Sequence, residues 1–366
     1  MNETIREIFY LKLGSTWLLD TIYLYIIGPL AFVGFVLNYF SYSAFHKIRF
    51  RNVALKKYLE VYTISCFILC FILMFCVLFR TPRYFNLQQN YFASIYNCKV
   101  IVCVAITIFL FINILDSILL LERLSNFDFN SKLRRFFKFN PYKVCFLLYI
   151  LSNLINISGF FVYEIKSNED FESIQYDYEK LNTFVYCKRI PFFYTKTGKI
   201  IILITILIKH IFTLLIEMIL SVCSIIKFKK YYKNTNSRLN RINNKMERNN
   251  LMIENNIAIN SSKKSHLIMK SSKYSKSIQN SIRILNKIEI YNAGLTKMTI
   301  YLSIFSIINH IGLFFAYITI MIDEYNTKLH RYSGLLIILF VILKYTSNFF
   351  LFYHFNKSFR NYFRLI

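Results

Sequence analysis

Seven stretches of the chain stay apolar for about twenty residues or more, near 17–45, 58–79, 100–121, 142–163, 200–226, 298–322 and 333–355, with polar, charged segments between them. A bilayer core of about 30 Å takes roughly 20 helical residues, so each run is long enough to cross it. The first run exceeds twenty residues and lacks a short apolar core followed by a small-residue cleavage site, so it reads as a span and not as a signal peptide. Backbone groups in lipid must be satisfied within the chain, which leaves helix bundles and closed barrels. These runs are too long and too uniformly apolar for barrel strands. The pattern predicts an all-α fold, a bundle of seven transmembrane helices over 17–355, preceded by a short segment 1–16. A last segment, 356–366, has Phe359, Tyr362 and Phe363 set against Lys357, Arg360 and Arg364. It predicts a short amphipathic helix over 356–364, with its aromatic residues on the membrane.

Composition agrees with a membrane protein. Of 366 residues, 55% are hydrophobic and only 17% charged, where soluble domains carry about a quarter. A net charge of +26 would suggest a nucleic-acid partner, but its placement contradicts that. The segments 46–57, 124–143, 227–294 and 355–366 together hold 28 basic and 4 acidic residues, nearly the whole surplus, while 164–199 holds six of each sign. Short basic loops stay cytoplasmic. The N-terminus is therefore expected outside and the C-terminus inside, in a multi-pass protein of the plasma membrane, with the lipid bilayer and no nucleic acid as partner. Asn2-Glu3-Thr4 is a glycosylation acceptor on the predicted outer side, at Asn2. The loop 227–294, rich in Asn, Ser, Lys and Ile, reads as a basic, largely disordered inner loop whose ends extend the fifth and sixth helices.

No Cys-x-x-Cys pair, phosphate loop, metal-ligand spacing or Ser/His/Asp constellation is present, so neither an enzyme, a cofactor nor a metal is expected. The spans do carry ionisable groups, which are costly in lipid and need partners. Asp116 lies in the third span and Lys344 in the seventh; Lys209, His210, Glu217 and His310 lie in the fifth and sixth. Asp116 sits two helical turns before Arg123, and Lys344 one turn before Asn348. A buried pair Asp116–Lys344 is expected, with Asn113 and Asn348 hydrogen-bonding nearby and Asn38 in the same intramembrane polar network.

In the third span, Cys98 lies at the outer end and Glu122-Arg123-Leu124 at the inner end, 25 residues apart, about 37 Å of helix. Gly34-Phe35-Val36-Leu37-Asn38 lies in the first span, and Asn348-Phe349-Phe350-Leu351-Phe352 ends the seventh. With this topology, the chain resembles the rhodopsin-like (class A) G-protein-coupled receptors, in a divergent invertebrate form nearest to orphan peptide receptors. The resemblance implies a disulfide between Cys98 and Cys187 of the second outer loop. It implies that Glu122, Arg123 and Leu124 serve G-protein coupling, with Asn348 and Phe352 in place of the family's Asn-Pro-x-x-Tyr. It implies an extracellular ligand and a heterotrimeric G protein as partners.

The departures are as informative. The second span lacks its aspartate, the fourth and sixth their tryptophan, and the fourth to seventh their prolines. The resemblance implies a sodium ion beside that missing aspartate in relatives, and the Lys344 ammonium is expected to take its role here. Ala105 occupies the place of the amine-binding aspartate, and Ile342 that of the retinal-binding lysine, so neither an aminergic receptor nor an opsin is expected. Glu169, Asp170, Glu172, Asp177 and Glu179 before Cys187 form an acidic rim suited to a basic peptide, which makes a neuropeptide the favoured ligand. A small chemosensory ligand is the alternative within the fold. A seven-span channel or transporter subunit is the alternative outside it, opposed by the absence of an internal repeat and, for channels with an inner N-terminus, by the lysine distribution.

Overall fold

The computed structural model describes residues 18, 21–48, 53–80, 95–127, 137, 139–157, 161, 163–167, 185–259, 293–315 and 327–364. Asn2 and the acidic residues from Glu169 to Glu179 lie outside them. Eight helices follow in chain order. The first, α1, is Tyr23–Lys47; α2 is Val53–Arg80; α3 opens as a π-helix over Tyr96–Ala105 and continues as an α-helix over Ile106–Phe127; α4 is Pro141–Ile155. A two-stranded antiparallel hairpin pairs β1, Tyr163–Ser167, with β2, Val185–Arg189, placing Cys187 opposite Ile165. Then α5 runs Lys196–Ile206, passes through a π-segment Leu207–Phe212 and continues over Thr213–Ile259. Last come α6, Ala293–Phe315, α7, Thr327–Phe355, and α8, Lys357–Arg364.

Six of these helices are long and apolar enough to cross a membrane, and α4 is a shorter apolar helix. The fourth apolar run was expected to stay helical to 163. The helix α4 is interrupted by a turn at Asn156, whose side chain turns inward to donate to the Cys103 carbonyl at 3.0 Å and to Thr107 Oγ1 at 2.9 Å; Ile157 and Phe161 are helical again, and Tyr163 begins a strand. Local chemistry sets two other starts. Asn140 caps α4, accepting from the Tyr142 amide at 3.1 Å ahead of a proline at the first helical position. Thr195 caps α5, accepting from the Gly198 amide at 3.2 Å.

The bundle is built around α3. Within the most apolar stretch of that helix 78% of residues are buried, against 18% for α5. Outward-facing α4 and α5 side chains (Phe146, Leu147, Leu154, Phe212, Ile219, Val222) are large and apolar. Such a surface suits lipid and not water. Gly34 lets α1, α2 and α7 meet: a Cβ there would lie 2.8 Å from Thr346 Oγ1 and 3.0 Å from Cys70 Sγ.

Residues 227–259, at the start of the loop whose ends were expected to extend the flanking helices, continue α5 as α-helix; 260–292 lie outside the described residues. No glycine or proline occurs between Gly198 and Gly294, so nothing in the backbone chemistry stops a helix already nucleated in the bundle. In α8, Phe359 does not lie on the membrane. It is fully buried, packed at ring-centroid distances of 5.2 Å from Phe45, 5.5 Å from Phe349 and 5.8 Å from Phe352. Aromatic burial of this kind stabilises more than a half-solvated interface would, so α8 is pinned to α1 and α7.

The start of α6 meets the end of α7 just as closely. A Cβ on Gly294 would lie 2.5 Å from the Phe355 carbonyl oxygen, a backbone atom that cannot swing aside. Gly294→Ala is therefore expected to cost about 1–3 kcal/mol of stability through overpacking. Thermal unfolding of the purified protein checks this, and a wild-type melting profile would contradict the close contact.

Candidate functional site

Polar groups gather along the inner faces of α3, α5, α6 and α7. Lys344 Nζ donates to Asp116 Oδ2, Asn113 Oδ1 and Ser306 Oγ, each at 2.8 Å. Asp116 and Lys344 are 2% and 3% exposed, so the pair is an ion pair sealed from solvent. Ser306 Oγ in turn donates to Glu217 Oε1 at 3.0 Å, which draws α5 and α6 into the cluster. Three ammonium donors thus meet three acceptors on two helices.

Two further asparagines flank that cluster, and Asn348 adjoins it through Tyr62, a hydrogen-bond partner of Asp116. Asn38 does not reach Lys344 or Asp116. It donates to the Gly34 carbonyl at 2.8 Å and to the Tyr345 carbonyl at 3.2 Å, joining α1 to α7. Asn348 donates to Tyr62 OH at 3.2 Å, joining α7 to α2. The second helix therefore contributes a phenol and Cys66 Sγ, 3.7 Å from Asn348 Nδ2. Sequence reasoning missed Ser306 and Tyr62. A serine or tyrosine inside an apolar span is common and carries no positional signal, whereas Glu217 was marked by its charge alone.

At the far end of α3, Arg123 Nε lies 2.9 Å from Glu122 Oε2, with both side chains 3% exposed. Asn126 Nδ2 holds the other Glu122 oxygen at 2.8 Å. Leu124 is buried. Phe352 is fully buried, its ring 4.9 Å from that of Phe45. Nearby, Glu60 accepts from Tyr142 OH at 2.9 Å and lies 3.6 Å from Lys56 Nζ, which ties α2 to the start of α4.

Towards the Cys98 end lies a cavity of about 240 Å³, lined by residues that include Ile101, Ala105 and Phe109 of α3, Leu313 of α6 and Ile338 of α7, with Lys209 and His210 on one wall. Those two residues belong to the π-segment of α5. Such π-bulges re-aim side chains by one residue relative to an α-helix. Lys209 Nζ donates to Asn156 Oδ1, crossing from α5 to α4. Below the cavity, the Phe109 ring stands 6.3 Å from His210, 6.0 Å from His310 and 6.4 Å from Tyr345. Phe109 is one helical turn from Asn113, and Val341 one turn from Tyr345. The cavity floor and the charge cluster are thus adjacent layers. Cys98 and Cys187 lie on described backbone, with β1 beside Tyr96–Ala105; the pairing of their side chains falls outside the described residues.

No protein-family model matches the chain, and no curated protein matches it in sequence. Its fold does match solved structures. It is similar to the crystal structure of squid rhodopsin, with a TM-score of 0.57 and 12% identity, over 96% of this chain and 80% of that one. The chain has a rhodopsin-like fold, and among its described residues six helices are long and apolar enough to cross a membrane.

Proposed function

We propose that the chain is a G-protein-coupled receptor of the plasma membrane that binds an extracellular ligand and activates a heterotrimeric G protein. The supporting observation is the layered arrangement within a rhodopsin-like fold. A cavity at one end of α3 adjoins the Phe109 ring cluster and the Lys344–Asp116 charge cluster, and Glu122-Arg123 closes the opposite end. In this reading α4 is the fourth of seven spans, the N-terminus is outside and the 227–259 part of α5 projects into the cytoplasm. A ligand that moves Phe109 or Val341 changes the packing around Lys344, and α5, α6 and α7 respond together because Lys344, Ser306 and Glu217 link them. Breaking the Glu122–Arg123 pair then releases the guanidinium to a G-protein segment.

The acidic residues between Glu169 and Glu179 favour a basic neuropeptide. Expression in cells with calcium and cAMP readouts, screened against a peptide library, tests the reading, and an N-terminal tag on unpermeabilised cells tests the orientation. An inaccessible tag, or a surface-expressed protein that couples to no G protein, overturns it. The former outcome would favour a seven-span channel subunit.

A Cys98–Cys187 disulfide belongs to the same reading. It would hold the β-hairpin over the cavity mouth and restrict the unfolded loop, contributing about 2–4 kcal/mol. Serine at either position should lower surface expression, and mass spectrometry of surface protein should find the linked peptides. Two free thiols would reject the pairing.

A further inference from the structure

We infer that the cavity takes a carboxylate on a compact apolar body, with the Lys209 ammonium as its anchor. This rests on the receptor reading and specifies the ligand chemistry of the same cavity. Twelve of the fourteen lining residues are apolar or glycine, the other two are Lys209 and His210, and among the described residues no Asp or Glu lines the cavity. A desolvated cationic site of this kind repels an amine and gives an alcohol no charge-assisted bond, whereas a carboxylate gains one. At about 240 Å³ the cavity is smaller than the usual 300–1,000 Å³ of drug-sized sites, which limits the body to a short chain or one large side chain.

Lys209 is positioned for the role. Asn156 Oδ1 accepts one of its three ammonium donors, and the Asn156 amide is itself fixed by Cys103 and Thr107. Lys209 is thereby held in one geometry at the cavity wall, with donors left for a ligand among the described residues. The same chemistry occurs in a free medium-chain acid and in the C-terminal end of a peptide whose last residue is large and apolar.

The test uses the full-length protein in lipid nanodiscs. Octanoate, octanol and octylamine are compared by thermal shift and direct binding, beside tetrapeptides ending in Leu or Phe, each as free acid and as amide. Lys209→Gln keeps a donor for Asn156 but removes the charge, and Lys209→Arg keeps both. An acid should bind at least tenfold more tightly than its uncharged or cationic counterpart. Lys209→Gln should abolish that preference and Lys209→Arg should retain it. Octanoate against the peptide acids distinguishes the two sources. Equal binding of alcohol or amide, unchanged acid binding in Lys209→Gln, or no binding by any acid overturns the inference. Nucleotide exchange on G protein is measured in parallel. Acid binding without exchange defeats the receptor reading alone, and exchange driven by an amine defeats the carboxylate alone.

Discussion

Lys344→Met is expected to be the most destabilising single substitution in the bundle. It would leave Asp116 and, through Ser306, Glu217 without their shared cation, and stranding a buried charge costs about 3–5 kcal/mol. An ordinary interhelical hydrogen bond within a membrane is worth only about 0.6 kcal/mol, so the stranded charge and not the lost bond dominates. Asp116→Asn should cost less, because Glu217 remains within one serine of the ammonium. The double variant Asp116→Asn/Lys344→Met should recover part of the loss. Surface expression and thermal unfolding of the four forms read this cycle. Two single variants as stable as wild type would show that the pair is not held as an ion pair.

The second large effect concerns Arg123. Its guanidinium is 3% exposed and held against Glu122, remote from the cavity, so Arg123→Ala should remove G-protein activation while leaving ligand affinity within a few-fold. Glu122→Gln should act in the opposite sense and raise basal activity, since it weakens the contact that retains the arginine. Nucleotide exchange with and without ligand measures both. Full activation by Arg123→Ala would remove the residue from the coupling surface.

Much of this was legible in the sequence because lipid is an exacting solvent. A charge inside an apolar run must find a partner, and Asp116 and Lys344 were the clearest opposite signs on two helices. The acceptors of Asn38, the carbonyls of Gly34 and Tyr345, were not legible, because every residue carries a carbonyl. Phe359 was assigned to lipid because an aromatic face has the same pattern whether it meets acyl chains or the rings of Phe45 and Phe352. An extension of α5 into the 227–294 loop was expected, but its length, to Ile259, was hidden by a polar, low-complexity composition, although the missing glycines and prolines were its signal. The π-segments that aim Lys209 and His210 have no sequence period of their own, so the cavity's cationic wall emerges only in three dimensions.

Past the π-segment Leu207–Phe212, the fifth helix runs 47 residues without a break, Thr213–Ile259, about 70 Å at 1.5 Å per residue. The helix is thus a lever with a very short inner arm. A rotation of one degree at the π-segment sweeps Ile259 through about 1.2 Å, and five degrees through about 6 Å. Displacements too small to register beside the ligand are magnified at the tip, so a spectroscopic label near Ile259 would report motions at Lys209 that a label on the cavity wall would miss.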